Sequence, residues 1–295
     1  MTPSSENKSG QLYLVSTPIG NLEDITLRAI RILKEVDAIA CEDTRHTQKL
    51  LNHYAIKKRL VSYHEHNENT RAPELLSELK NGAGIALVTD AGTPIVSDPG
   101  HRLVALCAEN NIPVIPIPGP SAVLAALAGS GISAKRVLFV GFLPARQGER
   151  RRALSELANN PATLVFFEAP HRIANMLTDA SEILGPRPAA LARELTKLHE
   201  EFLRGSLDDL ARKLSPTPLK GEFTLVIGPP APQDSTAAPT GLTLRQRVEQ
   251  LIRTESLDRK AALKLAAREF GIPRREAYKQ LLQDGNLTNE GPSEE

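Results

Sequence analysis

The sequence predicts an α/β protein: two α/β domains with a cleft between them, followed by a small C-terminal helical unit. Three observations lead there. In the first half, short apolar runs alternate with amphipathic stretches, the signature of a largely parallel sheet with right-handed crossovers. In the second half, strand-like runs follow one another after short turns, which points to a mixed sheet. Beyond Pro229 the segment PPAPQDSTAAPT reads as a semi-extended linker, and a helical pattern resumes after it.

Residues 11–117 are expected to form the first domain and 118–228 the second, after a polar tail over 1–10. The first strand is Leu12–Ser16; the loop after it ends at Asp24, a cap for a helix over Ile25–Val36. Strands follow at Asp37–Cys41, Leu60–Tyr63, Ile85–Thr89 and Val114–Ile117. Helices are expected over Thr44–His53, Pro73–Lys80 and Pro99–Asn110, with Asp98 as N-cap and Pro99 at the first helical position. The PIPGPS punctuation at Pro116 marks the boundary. In the second domain, strands are expected at Val137–Phe142, Thr163–Phe167, Ala189–Leu195, Glu201–Arg204 and Phe223–Ile227. Helices fall near Arg151–Ala158, Arg172–Leu184 and Leu207–Lys213. A linker over 229–241, a helix-turn-helix-like unit over 242–284 and a polar tail over 285–295 complete the chain.

Composition bounds the rest. Of 295 residues, 41% are hydrophobic and 24% charged, the range of a globular protein. No apolar run approaches the roughly 20 residues that span a bilayer. The start, MTPSSENKSGQ, lacks the apolar core of a signal peptide, so a cytoplasmic protein that meets no membrane is expected. The two cysteines, Cys41 and Cys107, form no framework and read as small buried apolar residues. A net charge of +1 means that any nucleic-acid binding rests on local patches.

Function is concentrated in strand-end loops. Val88–Gly100, VTDAGTPIVSDPG, is too long and too rich in Gly and Pro for a bland connection, and it leaves a strand where open α/β sheets bind ligands. STPIGNLED follows the first strand, EDTRHT the second and PGPSA the fifth; FFEAPHR and ARELTK follow strands of the second half. The usual dinucleotide, nucleotide and hydrolase fingerprints do not occur. His64-Glu65-His66 has no further ligand cluster beside it and reads as solvated or substrate-facing, so no metal is expected.

Taken in order, TPIGNL from Thr17, EDTR from Glu42, the Asp90–Gly100 loop, PGPSA from Pro118 and FEAPHR from Phe167 resemble the tetrapyrrole-methylase superfamily of S-adenosylmethionine methyltransferases, over roughly Gln11 to Gly228. Within it, the chain resembles the branch that methylates a cytidine ribose 2′-hydroxyl in 16S rRNA. The resemblance implies two domains of that type, a homodimer, and a folded S-adenosylmethionine bound between the domains. It places Pro18 and the Asp90-Ala91-Gly92 turn against the cofactor, Ser121-Ala122 opposite, and Phe167, Ala192 and Thr224 as the remaining wall. A ribose hydroxyl is a poor nucleophile until a base takes or holds its proton. Glu168, Asp98 and Glu42 are the candidate bases, with His171 behind them. Displacement at a sulfonium needs no metal.

Two segments speak of RNA, expected within the small ribosomal subunit. Arg146–Arg152 holds four arginines in seven residues near a helix start, where the dipole disfavours cations; Arg150, Arg151 and Arg152 are expected on phosphates. Arg45 and Arg172 are candidate bidentate phosphate clamps. Between Leu244 and Asp284, ten Arg and Lys face six Asp and Glu, in a helix–Gly271–helix pattern that includes Arg274 and Arg275. Two other readings fit the same residues. One is methylation of a small molecule such as a tetrapyrrole; the other is a ligand-sensing helix-turn-helix regulator on nucleic acid.

Overall fold

The computed structural model describes residues 10–214, 220–230, 242–255 and 257–286. The chain divides into two compact units between Pro229 and Pro230. The first holds two five-stranded sheets. Strands β1 (Gln11–Val15), β2 (Ala38–Cys41), β3 (Arg59–Ser62), β4 (Gly84–Val88) and β5 (Val114–Ile117) pair in the order β3-β2-β4-β1-β5, all parallel.

Right-handed crossovers decide which face each helix covers. Helices α1 (Leu27–Glu35) and α2 (Thr44–His53) follow moves in one direction along the sheet and bury Ile32, Leu33, Leu50 and Leu51 against Val15, Ile39 and Val88. Helices α3 (Glu68–Lys80) and α4 (His101–Glu109) follow moves in the other, and bury Leu75, Leu79 and Leu103 against Leu12, Ile85 and Leu87. The adjacent strands β1 and β4 therefore send their helices to opposite faces. A crevice opens at their C-terminal ends, as at any topological switch point.

The second sheet runs β6-β7-β10-β8-β9, with β6 (Val137–Phe142), β7 (Thr163–Glu168), β8 (Pro188–Arg193), β9 (Glu201–Ser206) and β10 (Phe223–Ile227). Only β6 and β7 are parallel; the mixed sheet expected from the short turns is present. Helices α6 (Gln147–Glu156), α7 (Ile173–Leu184) and α8 (Leu207–Leu214) cover one face through Leu154, Met176, Leu177 and Leu210. Helix α5 (Ala122–Ser130) covers the other, with Ala126 and Leu127 on Val165, Ala192 and Val226. Periodicity gives no warning of α5, because AVLAALAGS is apolar on every side.

Three local expectations need correction. Asp24 does not cap α1: it lies in a single 3-10 turn (Leu22–Asp24), and the Thr26 side chain accepts from Ala29 N–H instead. Helix α3 starts five residues before Pro73, which sits inside it in the second turn and brings no backbone N–H to the helix. Asp98 does not cap α4; Gly100 holds that position at φ +135°, with no side-chain cap.

The arginine cluster also changes meaning. Arg150 is 5% exposed and buries its guanidinium against Asp179, at 2.6 Å from Oδ2. Arg151 bonds both Asp179 (2.9 Å) and Glu182 (2.6 Å). These two cations are taken up by carboxylates and hold α6 onto α7; Arg152 alone of the three is exposed. Burial by itself would raise the Asp179 carboxyl, but hydrogen bonds from Arg151, Arg150 and Gln147 hold it below its usual range.

The second unit is a three-helix cluster, α9 (Leu244–Glu255), α10 (Arg259–Glu269) and α11 (Arg274–Asn286), closed on Leu251, Ala262, Ala266 and Ala277. Among the described residues no helix is long and apolar enough to cross a membrane.

Because Asp179 neutralises two arginines where α6 meets α7, Asp179→Ala leaves a buried guanidinium unpaired. Urea unfolding should show a loss of about 3–5 kcal/mol; a loss under about 1 kcal/mol, the scale of an exposed pair, would refute the buried-anchor assignment.

Candidate functional site

The crevice is organised around the end of β1. Thr17 N–H donates to Gly92 O (2.9 Å) and Gly92 N–H to Thr17 O (3.0 Å), a one-residue bridge beyond the strand. Thr17 Oγ1 donates to Thr89 O at 2.9 Å. Gly92 sits at φ +88°, where a Cβ is strained. The loop after β5 closes the third side: Thr93 Oγ1 donates to Pro120 O at 3.2 Å, and a Cβ on Gly119 would lie 2.9 Å from the Ser16 Cβ. Three strand-end loops are thus fixed to one another by backbone and hydroxyl bonds.

Below them lies a cavity of about 450 Å³. Of the cofactor residues expected from sequence, Asp90, Ala91 and Gly92 line it from β4, Ser121 and Ala122 from the start of α5, and Phe167 and Thr224 from the second sheet. Pro18 and Ala192 are not among its lining. Ala192 is 1% exposed and packs with Val165 and Val226 behind the wall. Glu168 and Asp98 line the same cavity; Glu42 does not.

Sequence reasoning missed Ile19, Val96 and Phe142, which supply apolar wall, and the Gly221-Glu222-Phe223 edge. Phe142 stacks at 5.7 Å from Phe167, and its signal was its place as the last residue of a strand. The Gly221 edge was hidden because β10 is antiparallel to β7, pairing Phe223 with Glu168. Its beginning, not its end, therefore meets the cleft.

Ser97 and Asp98 also line a second cavity, of about 410 Å³, shared with Glu42, Glu65, Glu68 and His101. The loop between the two cavities holds Ile95 at φ +76° and Ser97 at φ +66°, a conformation uncommon outside glycine and an outlier for a β-branched residue. Such strain collects at functional sites. Burial raises the Glu42 carboxyl, and the nearby Asp90 and Asp98 raise it further. Burial likewise raises Asp98, with the nearby Thr89 hydroxyl pulling the other way. Both carboxyls therefore hold a proton more readily than an ordinary acid.

Glu168 differs. Its Oε1 accepts from Ala169 N–H at 2.8 Å and lies 3.1 Å from Arg172 Nε. Arg172 donates from Nη2 to Leu143 O at 2.5 Å, so it braces the β7 loop and is not an exposed phosphate clamp. His171 is exposed beside it. Arg45, with an 88% exposed side chain, pairs with Asp43. Arg275 is exposed on α11; the Arg274 side chain lies outside the described residues. His64 and His66 have ring centroids 6.0 Å apart, and among the described residues no group of three or more potential metal ligands forms. Cys41 and Cys107 are buried thiols; burial pushes Cys107 up to about 11.

Comparison with known proteins gives the same outline. The family of tetrapyrrole (corrin/porphyrin) methylases matches residues 11–211. The chain is 47% identical over 281 residues to ribosomal RNA small subunit methyltransferase I of Micromonospora olivasterospora, covering 94% of this chain and 88% of that one. It is 43% identical over 284 residues to the protein of that name from Escherichia coli O157:H7, covering 95% and 97%. Among solved structures, uroporphyrin-III C-methyltransferase from Thermus thermophilus complexed with S-adenyl homocysteine has a TM-score of 0.53 at 22% identity, over 74% of this chain and 97% of that one. Diphthine synthase has a TM-score of 0.55 at 15% identity, over 74% and 90%. These structures share the fold.

The raised carboxyls carry a stability consequence. A carboxyl whose pKa is higher folded than unfolded makes the native state lose stability as pH climbs from the unfolded value through the folded one. Asp98→Asn removes that loss. Its thermal midpoint should exceed the wild type's at pH about 7.5 and match it below pH about 3, where this carboxyl is protonated in both states. Equal midpoints at both pH values would mean that Asp98 is not held in a charge-disfavouring site.

Proposed function

Because the chain belongs to the tetrapyrrole (corrin/porphyrin) methylase family, we propose that it transfers the methyl group of S-adenosylmethionine to the ribose 2′-hydroxyl of a cytidine in 16S rRNA. The observation that carries the chemistry is the cavity at the switch point, which joins a wall fit for the cofactor to a carboxylate pair fit to hold a proton. The substrate class rests on the relatives named for small-subunit rRNA. They align over 94% or more of the chain, and so extend into the C-terminal helices that the family match over 11–211 does not reach. That extension favours rRNA over a tetrapyrrole or another small molecule, and an enzyme over a ligand-sensing regulator.

The cavity residues fit the cofactor's mixed chemistry. The first N–H groups of α5, behind the Ser121 cap, suit a carboxylate, while Asp90 suits a cationic group. Ile19, Val96, Phe142 and Phe167 make an apolar wall for an aromatic ring. When bound, S-adenosylmethionine supplies an electrophilic methyl group on a sulfonium. The chain's own task is alignment, worth several kcal/mol in a two-reactant step, and removal of one proton. A carboxylate oxygen of Asp98, at the wall common to both cavities, accepts the ribose hydroxyl proton. Burial and the nearby Asp90 keep its affinity for a proton high. Such a base contributes typically 10²–10⁴-fold. Arg45, Arg152 and Arg275 are exposed cations available to phosphates, with the substrate taken within the small ribosomal subunit in the cytoplasm. The working unit is a homodimer, for which Leu27, Leu124 and Leu198, exposed at 86%, 66% and 92%, offer apolar side chains to a second copy.

Labelled S-adenosylmethionine with small ribosomal subunits from cells lacking the protein should yield one methylated ribose, located by ribose-methylation mapping. No label in 16S rRNA would refute the reading. Asp98→Asn should lower kcat by about 10²–10⁴-fold with cofactor affinity changed only a few-fold; the reverse pattern would make Asp98 a cofactor ligand.

The arginines have a separate signature. Arg152→Glu and Arg275→Glu together should weaken rRNA binding and flatten its dependence on salt, by about 0.7–0.9 in the log–log slope for each phosphate no longer neutralised. An unchanged slope would leave them as ordinary surface charge.

A further inference from the structure

Phe142 is the last residue of β6 and is 55% exposed. Among the described Phe and Tyr residues only Tyr278, in the helical unit, is exposed as well. One exposed apolar side chain means little by itself, but this one is aimed by an irregularity in its strand. Along a regular strand, side chains alternate between faces. Residue 142 would then share the face of Leu138 and Val140, which pack with the core under α6, α7 and α8. Instead β6 carries a bulge: Phe139 pairs with Val165 and Phe142 with Phe167, so three steps on β6 match two on β7. The extra residue turns Phe142 to the face of Phe139, and the Phe167 ring centroid lies 5.0 Å from that of Phe139 and 5.7 Å from that of Phe142. Gly141 absorbs the irregularity at φ +76°. A Cβ there would come within 3.3 Å of the Ser97 Oγ, so the same bulge seats the strand end against the loop between Val96 and Asp98. Bulges next to active sites serve to re-aim a side chain.

Phe142, Val96 and Asp98 all line the cavity at the switch point. Of its apolar wall, Ile19 is buried and Phe167 half-buried, whereas Val96 and Phe142 are exposed. The inner pair suffices for one ring. The outer pair leaves an apolar place for a second, next to the carboxylate assigned to the hydroxyl proton. Methyl transfer to a nucleotide brings two rings to this crevice, the cofactor's adenine and the acceptor's own base. A ribose that enters the crevice carries its base out of the RNA stack, and splayed-out bases are held on aromatic side chains. We infer that Phe142 is the platform on which the base of the target nucleotide stacks while its ribose faces Asp98. This deepens the proposed function and rests on it. Stacking accepts any base, since each has a π face, so Phe142 holds the nucleotide without choosing it.

Phe142→Leu keeps an apolar side chain and removes the ring. With labelled S-adenosylmethionine and small ribosomal subunits from cells lacking the protein, kcat/KM for the subunit should fall about 10- to 100-fold, the range of one lost base stack. Phe142→Tyr, which keeps the ring, should lose far less. Calorimetric titration of both full-length variants with S-adenosyl homocysteine should show affinity within a few-fold of the wild type, which also reports that they fold. Undiminished methylation by the leucine variant would overturn the inference. Equal losses in the two variants would overturn it too, because the ring would then not be what the substrate uses. So would a loss of S-adenosyl homocysteine affinity as large as the loss of methylation, which would make Phe142 a cofactor residue. If the leucine variant does not fold, Phe142→Met, likewise apolar and without a ring, is read in the same way. A wild-type chain that leaves the subunits unlabelled would instead overturn the proposed function, and this inference with it.

Discussion

The pairing of Thr17 with Gly92 is the interaction that holds the site together. A parallel strand normally ends where its neighbour turns away, yet here the backbone beyond β1 pairs with the loop beyond β4 through two hydrogen bonds of 2.9 and 3.0 Å. The bridge is possible because Gly92 accepts φ +88° without a Cβ penalty. With the loop pinned there, Asp90 faces the crevice, and its carboxylate also accepts from Asp43 N–H at 3.3 Å, which ties in the start of α2. The remainder of the loop must then reach α4 through left-handed residues at Ile95 and Ser97. That strained passage sets Asp98 at the wall between two cavities.

Electrostatics follow from the same constraint. Asp90 raises the hold of both Glu42 and Asp98 on a proton, and Asp98 that of Glu42, on top of what burial does. Elsewhere charges are held by ion pairs: Arg150 with Asp179, and Arg247 with Glu269 in the helical unit at 2.7 Å. Among the described residues, Asp98 and Glu42 have no ion-pair partner, and burial raises both. A carboxyl outside a strong ion pair remains free to exchange its proton.

The second sheet shapes the opposite wall. Mixed pairing brings the ends of β6, β7 and β8 and the beginnings of β9 and β10 to one edge, so Phe142, Phe167, Glu168 and Gly221–Thr224 converge although they lie far apart in sequence. Helix α5 serves both halves. Its N-terminus borders the cavity, and its buried side covers the sheet face that α6, α7 and α8 leave open.

Local periodicity, with Gly and Pro punctuation, was enough to set the alternation of strands and helices, the mixed second sheet, the helical appendage and the loops that carry the chemistry. These signals act within a few residues of the chain. Asp90–Gly92 was legible as part of a ligand loop because it follows a strand in a stretch rich in Gly and Pro, whereas Ser121, Phe167 and Thr224 were named through the family resemblance. What depends on a distant partner was settled by the packing of the folded chain. Arg150 and Arg151 looked like phosphate ligands until α7 brought Asp179 and Glu182 against them. Asp98 looked like a helix cap until the Thr17–Gly92 bridge forced the loop past it. The Gly221 edge joined the cavity only because β10 runs antiparallel to β7. A side chain's type is written locally, but whether its charge faces a ligand, a counter-ion or a cavity depends on groups that the fold brings from elsewhere.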